Sequence, residues 1–260
     1  VGLQIEYHKN DLTVMAHDNN KTRIAAIADI HTRISDKGHW TACFKEVSQQ
    51  ADILLIGGDL TDTGDEDEAR VLAEELKVCT IPVVAVLGNH DHEKGRQRTI
   101  RQIIQNEQVH VLDGEAIVIG NVGIAGIKGF GGGFDNYMLS MFGEEGMKAF
   151  VQEALNEALH LDRALARLDT GQENLKKIAL LHYSPVKDTV LGEPEALYPF
   201  LGCSRLAEPL SRRGVVAAFH GHAHSGKLEG EAAGGVKVYN VARQVLQRSG
   251  YTKPFFILEV

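Results

Sequence analysis

Ile53-Leu54-Leu55-Ile56-Gly57-Gly58-Asp59 reads as a strand with no polar face, closed by two glycines and a carboxylate. A half-exposed strand alternates apolar and polar residues, whereas an unbroken apolar run belongs to a parallel strand covered on both faces. The pattern recurs: Ile24 to Asp29, Val83 to His90, Ile178 to His182 and Val215 to His224 are apolar runs that also end on metal-ligand residues. Open α/β sheets bind ligands just beyond the carboxyl ends of their parallel strands. All five endings are therefore expected to meet at one site.

Around this segment a strand–helix rhythm is evident. Strands near 22–29, 52–57 and 82–87 alternate with helical stretches near 38–50 and 66–77, the βαβ order of a parallel sheet. Segments 115–119 and 122–126, split by Gly120-Asn121, predict a hairpin. Gly129-Phe130-Gly131-Gly132-Gly133-Phe134 follows as a glycine-dense loop. Met147, Phe150, Val151, Ala154, Leu155, Ala158, Leu159, Leu165 and Leu168 recur at helical spacing, so 144–168 is expected to be one amphipathic helix packed on a sheet face. Further strands are expected at 177–182, 215–219, 236–240 and 254–259. The chain reads as a single domain over 1–260, with 140–170 as the place for a helical insertion.

At 260 residues and 43% hydrophobic content, the chain can bury a large core. Its net charge of −8, without clustered Lys or Arg, argues against general nucleic-acid binding, and an anionic substrate then needs a local positive charge such as a metal. Cys43, Cys79 and Cys203 are too scattered for a disulfide framework or a zinc–cysteine site, which favours a reduced, cytoplasmic setting. No apolar run approaches the roughly 20 residues that span a bilayer, and the first residues lack the order of a signal peptide.

Asp29-Ile30-His31 and His222-Ala223-His224 share an i, i+2 spacing that turns both side chains to one side of an extended backbone. Glycines precede other candidates in Gly58-Asp59, Gly88-Asn89-His90 and Gly221-His222, and allow close backbone approach. Carboxylate, imidazole and amide oxygen without thiolate suit Mn²⁺, Fe²⁺, Zn²⁺ or Co²⁺. Asp91 reads as a loop-bonding residue, and His220 as a neighbour of the ligands rather than one of them. His92 reads as solvent-facing, and His8, His17, His39, His110 and His160 as residues outside any motif.

D-x-H, G-D, G-N-H-D, a lone His and G-H-x-H, in that order, resemble the signature of the calcineurin-like metallophosphoesterase superfamily over Asp29 to His224, about three-quarters of the chain. The resemblance implies an α/β fold of two mixed β-sheets stacked face to face with helices outside. It also implies two divalent transition-metal ions, one held by Asp29, His31 and His224, the other by Asn89, His182 and His222, with Asp59 bridging. His90 would be the leaving-group acid, oriented by Asp62, and a metal-bridging hydroxide the nucleophile of an in-line displacement. Two carboxylates and one hydroxide would leave roughly one positive charge at such a site, enough to attract phosphate to an acidic protein.

Protein Ser/Thr phosphatases carry an Arg after the second Asp, where this chain has Asp62-Thr63-Gly64, and the tyrosine ligand of purple acid phosphatases is absent from Leu60-Thr61-Asp62. The pattern looks more like the smaller bacterial phosphodiesterases. The expectation is a hydrolase of small phosphodiesters, a nucleotide being one candidate, with Phe130 and Phe134 stacking on substrate. The alternatives are a phosphomonoesterase of the same superfamily and a binding scaffold with a relic metal site.

Overall fold

A computed structural model describes residues 21–169, 171 and 174–260; His8 and His17 lie outside the described residues. Four parallel strands in register, β1 (Arg23–Ile27), β2 (Ile53–Gly57), β3 (Val83–Val86) and β4 (Val109–Leu112), form the first sheet. Helices α1 (Thr41–Gln50), α2 (Glu66–Leu76), the single turn α3 (Asn89–His92) and α4 (Gln97–Ile104) connect them. Asp65 caps α2 by accepting from the Asp67 amide, and Glu66, Asp67 and Glu68 in its first turn suit the positive end of the helix dipole.

After β4 the chain leaves for a second sheet. Its hairpin, β5 (Glu115–Ile119) and β6 (Val122–Gly126), falls where the sequence places it. Helix α5 (Glu145–Ala166) follows, then β7 (Lys176–Leu180), β8 (Val215–His220), β9 (Glu229–Ala232) and β10 (Val236–Asn240). β6, β7, β8 and β10 run parallel, and β5 and β9 close the edges antiparallel. Last, β11 (Phe256–Glu259) returns to pair antiparallel with β1. The class is thus α/β, two mixed sheets flanked by helices, as expected.

Alternation along each strand builds the layers. Ile24, Ala26, Ile53, Leu55, Val84 and Val86 face Val122, Ile124, Ile178, Leu180, Ala217 and Phe219 in an apolar seam between the sheets. The intervening Ala25, Ile27, Leu54, Ile56 and Ala85 turn the other way, onto Phe44 and Val47 of α1, Leu72 and Leu76 of α2, and Ile100 and Ile104 of α4. On the far side, Leu161, Ala164 and Leu165 of α5 cover Ala125, Ala179 and Ala218. α5 is thus a packed outer layer of the second sheet. Burial on both faces explains why the parallel strands carry no polar alternation.

Candidate metal centre

The carboxyl ends of β1, β2 and β3 from one sheet and of β7 and β8 from the other open on the same edge of the sandwich, and main-chain bonds fasten the loops together. The Asp29 amide donates to the Gly58 carbonyl at 3.1 Å, that of His31 to Asp59 at 2.9 Å, and that of Gly221 to His182 at 3.2 Å. Four candidate ligands, Asp29, His31, Asp59 and His222, hold positive φ angles of 58°, 44°, 49° and 68°. Residues with a Cβ adopt this region at a cost on the order of 1 kcal/mol or more each, so the surrounding fold imposes the arrangement.

The side chains form three joined groups, two that share Asp59 and a third made of His31, Asp62 and His90. Donor atoms of Asp29, His31, Asp59 and His224 lie within 4.8 Å of one another, as do those of Asp59, His182 and His222, and Asp59 belongs to both. His31 Nε2 is 3.7 Å from Asp59 Oδ2 and His182 Nε2 is 3.3 Å from Asp59 Oδ1, so the carboxylate turns one oxygen to each group. Asn89 joins the second group through its side-chain oxygen, 2.9 Å from His182 Nε2.

A cation fits these donors for three reasons. Asp29 and Asp59, 0% and 1% exposed, place two carboxylates side by side out of contact with bulk solvent. Burial pushes the Asp59 carboxyl well up, reinforced by Asp29 and Asp91, while the hydrogen bond from His224 and the neighbouring histidines outweigh burial at Asp29 and hold it at about 2. Next, both ring nitrogens of His31 are buried without a hydrogen-bond partner, and burial holds that imidazole at about 4. Finally, His182 Nδ1 lies 2.9 Å from the Gly57 carbonyl, which can only accept, and burial pushes its pKa well down. A neutral ring donating there turns a lone pair toward the Asn89 oxygen, an opposition that a cation between them relieves. His222 is arranged alike: Nε2 lies 3.1 Å from the Phe200 carbonyl, which leaves Nδ1 for a ligand.

The surroundings are built to hold these groups. Asp91 is fully buried and accepts from the amides of Gly88, Leu60 and Thr61 and from the Thr61 hydroxyl, tying the Asn89 turn to the Asp59 loop. A Cβ on Gly88 would overlap the Asp59 carboxylate, and one on Gly221 the Asp29 carboxylate. His220 is no ligand. Its Nδ1 donates to the Gly221 carbonyl at 2.8 Å, so Nε2 accepts from the Thr189 hydroxyl, itself 2.8 Å from Ser184 Oγ. This buried chain supports the His222 loop from below.

His90 lies at the edge of the first group, its ring 4.5 Å from that of His31. Its Nδ1 is 2.6 Å from the main-chain oxygen of Asp62; the Asp62 carboxylate faces His31 Nδ1, at 3.5 Å, and Arg33. His92 is half-buried rather than solvent-facing, held at about 4 by burial and by Lys128.

The two loop phenylalanines part company. Phe134 is 3% exposed and packs with Val190, Leu201 and Ala223, with the Tyr198 ring 6.3 Å away, so it offers substrate no face and its expected stacking role is withdrawn. The loop is tied to the segment at Gly202, Gly133 donating to its carbonyl at 2.9 Å, and this carries the ring inward. Phe130 keeps a half-buried ring, 5.9 Å from Tyr183, whose ring is 4.4 Å from that of His222. Phe150 and Phe200 extend this wall, which sequence spacing did not reveal because its members lie on three separate elements. Glu157 of α5 accepts from the Gly129 amide at 2.6 Å and so holds the start of the glycine loop.

Among the described residues no helix is long and apolar enough to cross a membrane. No curated protein matches the chain significantly. Among solved structures it resembles phosphopantetheinyl hydrolase from Mycobacterium tuberculosis, with a TM-score of 0.64 and 14% identity over 90% of this chain and 95% of that one. It also resembles TT1561 of Thermus thermophilus, with a TM-score of 0.54 and 17% identity over 86% and 90% of the two chains. A third similar structure is GAP50, the anchor in the inner membrane complex of Plasmodium, with a TM-score of 0.51 and 12% identity over 86% and 72%. These likenesses are of fold. The calcineurin-like phosphoesterase model matches residues 22–226, a span that holds β1 to β8 and every candidate ligand, and the chain therefore belongs to that family.

Proposed function

We propose that the protein is a dinuclear metal-dependent hydrolase of small phosphoesters, with phosphodiesters as its preferred substrates. The observation that carries this reading is the shared carboxylate: two donor groups meet at Asp59, one oxygen to each. Asp29, His31 and His224 would hold one divalent transition-metal ion (Mn, Fe, Zn or Co), and Asn89, His182 and His222 the other. Two such ions, when bound, would polarise the phosphoryl oxygens and activate water for in-line attack.

The protein's own groups supply the rest. His90 donates Nδ1–H to the Asp62 carbonyl, so Nε2 is the atom that carries a proton to the departing oxygen. The Asp59 carboxylate accepts from the His90 amide at 2.9 Å and fixes the ring's origin beside the shared ligand. Burial keeps His31, His182 and His222 neutral near pH 7, the form that binds metal.

The preference for diesters is supported by two features. No arginine follows Asp62 to take the second charge of a monoester, and Phe130, Phe150 and Phe200 make an apolar wall beside His222 for a second ester arm. The alternatives are a phosphomonoesterase and a binding scaffold; the intact ligand set and His90 speak against the second, although GAP50 shares the fold as an anchor. Three free cysteines, none paired, support a reducing cytoplasmic setting.

Chelation is expected to abolish hydrolysis and Mn²⁺ or a similar ion to restore it, with kcat/KM higher for bis-p-nitrophenyl than for p-nitrophenyl phosphate. Unchanged turnover in demonstrably metal-free protein would exclude the dinuclear reading, and a clear preference for the monoester would move the assignment to a phosphatase.

A further inference from the structure

We infer that Arg33 reads an oxyanion, carboxylate or phosphate, on the leaving arm of the substrate. The inference rests on the hydrolase reading above and adds a specificity that the metal ligands do not provide.

Arg33 lies two residues beyond His31, and its guanidinium is clamped by Asp62, Nε at 2.8 Å from Oδ2 and Nη2 at 3.5 Å from Oδ1. The same residue holds His90 through its main-chain oxygen and stands 3.5 Å from His31 Nδ1 through its carboxylate. One residue thus joins the cation, the proposed leaving-group acid and a proposed metal ligand. Because the Asp62 carboxylate lies between Arg33 and His31, the guanidinium stands outside the ligand ring. Because the Asp62 carbonyl holds His90, it stands on the side where the leaving oxygen would depart. That places it beyond the scissile phosphorus, next to what is attached to the leaving oxygen.

The pair has little to do as a structural device. The Arg33 side chain is 63% exposed, and ion pairs of such residues add little to stability. Asp62 engages only Nε and Nη2; the remaining N–H groups make no hydrogen bond among the described residues. Guanidinium has five donors in a planar fork matched to carboxylate or phosphate, and here that fork is held at its base and open at its tip. Asp36 and Glu68 are the other acids that act on it, and neither bonds its side chain.

The test compares diesters with one retained phenyl arm and three leaving arms: 3-carboxyphenyl, 3-(phosphonomethyl)phenyl and the neutral 3-carbamoylphenyl. Turnover of the carbamoyl ester tests the hydrolase reading by itself. For the wild-type protein kcat/KM is expected to be about 10-fold higher for an anionic arm than for the carbamoyl arm, and to lose that margin as salt rises. The larger of the two anionic ratios identifies carboxylate or phosphate as the group read. Arg33→Ala and Arg33→Gln are expected to bring the ratio near one, Arg33→Lys to keep part of it, and Arg70→Ala, on the surface of α2, to keep all of it. A wild-type ratio near one, or an unchanged ratio in Arg33→Ala, overturns the assignment. An equal loss on all three esters also overturns it, since it would show Arg33 acting only through Asp62. Absence of turnover of any of the three esters with Mn²⁺, Fe²⁺, Zn²⁺ or Co²⁺ overturns the hydrolase reading and this inference with it.

Discussion

His90 Nδ1 and the main-chain oxygen of Asp62 stand 2.6 Å apart, so the backbone, not a carboxylate, sets the tautomer of this imidazole. Changing Asp62 to Asn should therefore leave the His90 ring in place, whereas His90→Ala removes the proton carrier. With His90→Ala, esters with poor leaving groups should slow by about 10²- to 10⁴-fold and p-nitrophenyl esters far less, at near-normal metal content. Equal slowing of both ester types would remove His90 from the acid role.

Asp59 is shared between two donor groups, and a shared ligand has a distinctive phenotype. His31→Ala should empty one position and His222→Ala the other, while Asp59→Asn weakens both. Elemental analysis after dialysis reads this directly. If Asp59→Asn lost no more metal than either histidine variant, the carboxylate would not be a bridge.

Phe130 and Phe134 should separate in experiment as they do in the fold. Phe134→Ala opens a cavity in a buried cluster and is expected to cost about 3 to 5 kcal/mol in chemical denaturation, with KM little changed. Phe130→Ala should cost less stability and raise KM for aromatic diesters. The reverse pattern would return Phe134 to the substrate.

Burial holds His220 at about 4, well below its ordinary 6.5, so between these values the unfolded chain binds a proton that the folded chain refuses. Stability is then complete above about pH 6.5 and is lost as pH falls toward 4, by roughly 3 kcal/mol for this residue. His31 and His92 act in the same direction. Thermal melts of chelated protein should show His220→Gln less stable at pH 7 yet with a shallower acid slope. Parallel slopes for the two proteins would contradict this.

Much of this was legible in the chain because burial on both faces leaves a plain mark. The runs ending at Asp29, Asp59, His90 and His182 carry the pattern of covered strands, and the 115–126 hairpin followed from Gly120-Asn121. β9 was not legible: Glu229-Gly230-Glu231-Ala232 has no strand propensity and is extended because β10 offers it a partner. Short β4 and α4 hid for want of length. The division into two sheets came from family resemblance, since no residue pattern says that the chain changes sheet after Leu112. Phe134 misled because glycine density suggests an open loop, and only the pairing of Gly133 with Gly202 shows it turning inward. Arg33 left no signature beyond its step of two from His31.

The ligand set straddles the seam of the sandwich: Asp29, Asp59 and Asn89 ride on one sheet, and His182, His222 and His224 on the other. Any slip of one layer over the other is therefore a shear across the site, and ions seated there would act as rivets. Close-packed interiors transmit such strain instead of absorbing it. A methylene removed at Ile53 or Ile178, deep in the seam and away from solvent, should thus be felt as a change in metal grip, which makes the centre a gauge of how the two layers fit.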